Sequence, residues 1–261
     1  MIWSLTFFYT WLNQNILAVI SLVLTLYLLY YYLVEKNNVS KISRKYREAL
    51  FESQSKLFLS ALKHVIAGNK DLAIKELEKA QDINHDNLET SFTLGNLFRT
   101  NGDIDKAIAT HHAIIAQNKI DEDSRLRAII ELGIDYDRAG FIDEAIKSFK
   151  DALSMNRDLP EVVESLCRLF EMTGEWDEAL KHRLMLSKLT KKDQSETLSH
   201  ILVKKGEQSF LKGDVESSVE HIEDAYRFSP SVSVKLLELK LALLQEDSVK
   251  IKKIFDEIFN Q

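Results

Sequence analysis

The side chains best able to do chemistry are few and scattered. His111 and His112 are adjacent, Cys167 is the only cysteine, and paired acids occur at Asp135 and Asp137 and at Glu175 and Asp177. Metal ligation needs several donors converging on one point, and a lone thiol with dispersed imidazoles gives no such set. His111 instead falls at a large-residue packing position, and Cys167 stands where related segments carry a small glycine, as a small buried hydrophobe would. His64, His85, His182, His200 and His221 read as surface or interhelix residues, and the paired acids as solvated turn or cap residues rather than a general acid and base. No G-x-x-x-x-G-K-[ST], G-x-G-x-x-G, G-x-S-x-G or H-E-x-x-H occurs. The expectation is a non-enzyme with no cofactor, no metal and no catalytic residue.

What recurs is a spacing. AGNKDLAIKELEKA, NGDIDKAIATHHAI, AGFIDEAIKSFKDA, TGEWDEALKHRLML and KGDVESSVEHIEDA align on Gly68, Gly102, Gly140, Gly174 and Gly213, which lie 34, 38, 34 and 39 residues apart. Five residues after each glycine stands a small residue: Ala73, Ala107, Ala145, Ala179 or Ser218. Close crossing of two antiparallel helices requires such a residue. Upstream, L-G-x-x-aromatic recurs as Leu94, Gly95, Phe98 and as Leu132, Gly133, Tyr136, and more loosely as Leu166, Cys167, Phe170. This pattern resembles the tetratricopeptide repeat (TPR), a helix pair that buries its apolar face only by stacking on neighbours. With 8 Gly and 2 Pro in 261 residues, an all-α chain follows: an N-terminal transmembrane helix, then a right-handed superhelical TPR solenoid of five to six helix pairs.

The expected organisation is an anchor over 1–35, a basic juxtamembrane segment over 36–53 and TPR units over 54–232 (54–87, 88–121, 126–159, 160–193 and 199–232). A degenerate repeat or capping helices over 233–261 follow. No charged side chain precedes Glu35, and 16–34 is apolar apart from Ser21, Thr25 and its tyrosines. At 1.5 Å per residue that run spans roughly 28 Å, close to the bilayer's ~30 Å hydrocarbon core. Tyr27, Tyr30, Tyr31 and Tyr32 at one end, with Trp3 and Trp11 at the other, fit the two interfaces. Lys36, Lys41, Arg44, Lys45 and Arg47 place the following domain in the cytoplasm by the positive-inside rule. A net charge of -6 gives no sign of nucleic-acid binding.

On this register the concave surface of the repeats is lined by Phe92, Asn96 and Arg99, by Ile130, Ile134 and Asp137, and by Glu164, Arg168 and Glu171. Its mixed apolar, amide and charged character suits a peptide or protein segment. A C-terminal carboxylate clamp is disfavoured, because Asn96 has no matching Asn in the next repeat.

The segments LGNLFRTNGDIDKAIATHHAII (94–115), ELGIDYDRAGFIDEAIKSFKDAL (131–153) and LFEMTGEWDEALKH (169–182) resemble the bacterial lipopolysaccharide assembly protein B family. The resemblance covers roughly 50–230. It implies an inner-membrane adaptor that restrains lipopolysaccharide synthesis by promoting proteolysis of a lipid A pathway deacetylase, with a membrane-bound AAA+ protease and that enzyme as partners. It implies a bacterial inner-membrane location, N-terminus out and repeats in the cytoplasm. Family members normally carry more repeats and end in a rubredoxin-like knuckle with two C-x-x-C pairs, which this sequence lacks, so a shortened relative without the metal is expected. The alternative is a TPR subunit of a secretion or translocon-associated complex facing the periplasm.

Overall fold

The computed structural model describes residues 9–10, 16–84 and 87–259, with only the backbone at 16–20, 22, 23 and 259. Trp3, Trp11 and His85, assigned roles above, lie outside the described residues. Twelve helices follow one another among the described residues: α1 (Ile16–Ile66), α2 (Lys70–Ile83), α3 (Leu88–Asn101), α4 (Ile104–Ile115), α5 (Glu122–Ala139), α6 (Ile142–Met155), α7 (Pro160–Thr173), α8 (Trp176–Thr190), α9 (Ser195–Leu211), α10 (Val215–Phe228), α11 (Val232–Leu244) and α12 (Ser248–Phe259). The chain divides into two compact units, Met1–Thr90 and Ser91–Gln261.

The repeating glycine explains how each pair turns. Gly140 follows α5 with φ +80°, its N–H bonds Asp137 O, and the next N–H, from Phe141, bonds Tyr136 O. These two bonds satisfy carbonyls that the helix end leaves open, in a left-handed geometry that favours glycine. Gly68, Gly102, Gly174 and Gly213 occupy the same position with φ between 75° and 96°. The small residues five positions on are all fully buried: Ala73, Ala107, Ala145, Ala179 and Ser218 are each 0% exposed.

Helix starts are set locally. Asp121 Oδ1 accepts from Ser124 N at 2.8 Å, and Asp214 Oδ1 from Ser217 N at 3.1 Å. The Asp121 cap starts α5 at Glu122, four residues ahead of the expected unit boundary at 126. Pro160 opens α7, where its missing N–H costs nothing. In the second unit α5 to α8 pack around Phe149, Leu166, Leu169 and Phe170, and α9 to α11 around Leu202, Ile222, Leu237 and Leu241.

In the first unit, α1 is one helix of 51 residues. No Gly or Pro interrupts 16–66, so the expected divisions at 35/36 and 53/54 are not breaks in the backbone. Its C-terminal part packs on α2 through the buried Gln54 and Ala61, opposite the buried Ala73 and Leu77. From Leu24 to Val34 every side chain is exposed. Among the described residues no helix is long and apolar enough to cross a membrane; the side chains at 16–20, 22 and 23, much of the expected span, lie outside the description.

Candidate docking site

The two expected lining residues of α3 that carry most bulk do not face solvent. Phe92 is 1% exposed, its ring 6.1 Å from that of His111 and covered on another side by the Arg127 guanidinium at 4.0 Å. It belongs to the core, which corrects its placement on the concave face. Arg99, with its side chain only 14% exposed, is held by Asn96 Oδ1 at 2.6 Å, Glu131 Oε2 at 2.6 Å, Glu131 O at 3.2 Å and Asp135 Oδ1 at 2.8 Å.

Asp135 is fully buried rather than a solvated turn residue. A buried carboxylate persists only if paired and hydrogen-bonded. Its second oxygen lies 2.5 Å from His111 Nδ1, and His111 is also 0% exposed. An ionised carboxylate only accepts, so Nδ1 carries a proton in this contact. Among the described residues Nε2 has no hydrogen-bond partner, and it presses against Gly95, where an added Cβ would sit 2.5 Å away. Arg99, Asp135 and His111 thus tie α3, α4 and α5 together by polar bonds, where packing alone was expected for His111.

The next junction is open. A cleft of about 530 Å³ lies between α5 and α7, lined by Ile134, Asp137, Arg138, Phe149, Ser165 and Arg168. Arg168 and Asp137 form an ion pair across it, with side chains 52% and 22% exposed. Of the expected lining, Ile134, Asp137 and Arg168 therefore meet at one cleft. Ile130 is half-buried against the core below, Glu164 is exposed, and Glu171 binds Arg183 of α8 at 2.5 Å. The cleft offers a half-exposed arginine paired with an acid, a second arginine and the apolar edge of Ile134, a mainly polar lining that can hold a peptide's charged side chains. An exposed ion pair contributes under about 1 kcal/mol, so exchanging it for a ligand's charge costs little.

Burial pushes the Cys167 thiol up to about 11, which leaves it protonated and unreactive near neutrality. Among the described residues no three His, Cys, Asp or Glu side chains are placed to share a metal ion.

No family model matches the chain. Over 161 residues it is 29% identical to Lipopolysaccharide assembly protein B of Escherichia coli (strain K12), covering 59% of this chain and 41% of that protein. The protein of the same name from Haemophilus influenzae is 26% identical over 199 residues, 73% of this chain and 49% of the relative. The chain is similar to lipopolysaccharide assembly protein B. It spans less than half the length of these curated relatives. A crystal structure of the MamA protein superposes with a TM-score of 0.51 at 17% identity, over 69% of this chain and 98% of that one, which shows a common fold.

Sequence reasoning missed Glu131, Arg138 and Ser165, and read Asp135 as solvated. For Asp135 a signal existed: it follows Ala128 and Leu132 at helical spacing, on the buried face of α5. A carboxylate there demands a cation nearby, and Arg99 one repeat earlier supplies it.

Proposed function

We propose that the chain is a membrane-anchored, non-enzymatic TPR adaptor of the bacterial inner membrane, acting in lipopolysaccharide assembly by docking protein segments in the cleft between α5 and α7. The observation that carries this reading is the Asp137 and Arg168 pair, its arginine half-exposed, beside Ile134 in a polar cleft, in a chain similar to lipopolysaccharide assembly protein B. Anchoring is supported by Leu24 to Val34, which present apolar and tyrosine side chains on every face of α1. Such a sheath is costly in water and suits lipid. The basic residues after it orient the repeats toward the cytoplasm.

On this reading the partners are a membrane-bound AAA+ protease and a lipid A biosynthesis enzyme, and the adaptor promotes degradation of the enzyme. Tethering at the membrane raises the effective concentration, so a modest cleft affinity suffices. In the source bacterium, removing the chain should lengthen the half-life of the lipid A deacetylase and raise the ratio of lipopolysaccharide to phospholipid. An unchanged half-life with an unchanged ratio would sink the reading. A reporter fused after Gln261 tests the orientation separately.

A further inference from the structure

Helix α1 carries one stripe that differs from the rest of its surface along most of its length. Between Glu35 and Ala49 its only apolar side chains are Val39, Ile42, Tyr46 and Ala49, spaced by three, four and three residues. All are exposed, Val39 at 60%, Ile42 at 68% and Tyr46 at 66%. Upstream, within the apolar run 16–34, the only small side chains are Ala18, Ser21 and Thr25, and the same three-four rhythm reaches them through Leu28, Tyr32 and Glu35. The stripe is thus apolar where the helix is polar, and within the apolar run it collects the small residues.

We propose that α1 pairs in parallel with α1 of a second copy of this chain along this stripe. Helices in lipid associate through small residues that let backbones approach, whereas in water they associate through apolar seams of period 3.5. A second copy in register meets both demands on both sides at once. Because 3.6 residues make a turn, a 3.5 repeat drifts about 20° per heptad, the path of a left-handed two-helix supercoil.

Charge and area agree with this occupant. Lys41, Arg44 and Arg47 fall off the stripe, and Lys36 and Lys45 lie at its flanks rather than on it. Glu35, the only charge on it, faces the second copy's Glu35 in an in-register parallel pair, and the second copy's Lys36 beside it offsets that like-charge contact. A contact running from 18 to 49 is roughly 46 Å long and about 10 Å wide, close to 1,000 Å² over both copies, about the threshold for a stable interface. The stripe ends before Gln54, the first buried side chain facing α2, so pairing leaves the first repeat's packing intact. The parallel sense rests on the anchor reading above; the stalk seam does not.

The test is disulfide trapping of the full-length chain in membranes, using single cysteines at Val39, Tyr46 or the off-stripe Lys41. Cys167 is buried and does not compete. Val39→Cys and Tyr46→Cys should give a band at twice 30.1 kDa, several-fold stronger than Lys41→Cys, and adding Ile42→Lys to Val39→Cys should abolish it. Equal trapping at all three positions, or a stripe band of any other mass, overturns the proposal. Flotation of the same membranes separates the two readings: a chain that floats but shows no stripe preference keeps its anchor and loses its pairing. One that traps on the stripe without floating does the reverse.

Discussion

Replacing Asp135 by alanine should unfold the protein far more easily than replacing Asp137, although the two acids lie two residues apart on one helix. Asp135 is 0% exposed and accepts from Arg99 at 2.8 Å and from His111 at 2.5 Å. Each lost charge-assisted bond is worth about 1.5–3 kcal/mol, and stranding a buried partner of an ion pair costs about 3–5 kcal/mol. Arg99 keeps Glu131 and Asn96, so the lower half, about 3–4 kcal/mol, is expected. Asp137 pairs with Arg168 at the half-exposed cleft, and its loss should cost under about 1 kcal/mol. Urea unfolding of both variants, followed by circular dichroism, measures the difference. A loss under about 1 kcal/mol for Asp135→Ala would mean that the Arg99, Asp135 and His111 contacts do not exist in the folded protein.

Ala145→Trp should destabilise the middle repeats by at least about 1–3 kcal/mol, because Ala145 is 0% exposed at a helix crossing; an unchanged melting temperature contradicts that register. Gly95→Ala sets a helix-propensity gain of about 1 kcal/mol against overpacking of about 1–3 kcal/mol, and overpacking should win because His111 is held in place by Asp135. A stabilised variant in the same urea assay would show that the imidazole moves aside. His221 titrates below its ordinary 6.5, chiefly through burial and then through Lys205, against the opposing Glu220, Asp177 and Asp224. The unfolded chain therefore takes up a proton that the folded chain resists, and stability should fall as pH drops below 6.5, above the carboxylate range. His221→Gln should flatten that slope; an identical slope refutes the assignment.

The helix pairs were legible because glycines and small residues recur at fixed spacing, and each marks a left-handed turn or a crossing that other side chains cannot occupy. Ala73, Ala107, Ala145, Ala179 and Ser218 are buried as that spacing requires. Single-residue placements were less legible. Phe92 and Arg99 share a helix face that repeat position alone assigns to the surface, yet they are covered by Arg127 and α5, partners 32 to 36 residues away in the polar bonds. The continuity of α1 follows from an absence, the lack of Gly and Pro over 16–66, which a search for composition shifts passes over.

The cleft between α5 and α7 is the central claim. Arg99 is unsuited to test it, because reversing its charge would break the buried network. The direct measurement is site-specific photo-cross-linking in the source bacterium from Ser165 in the cleft and from exposed Lys147 on α6, each with and without Arg168→Glu. The account predicts cross-links to the protease or the lipid A enzyme from Ser165 that Arg168→Glu removes, and none from Lys147. Cross-links to those partners from Lys147 alone, or from Ser165 unchanged by Arg168→Glu, would contradict it.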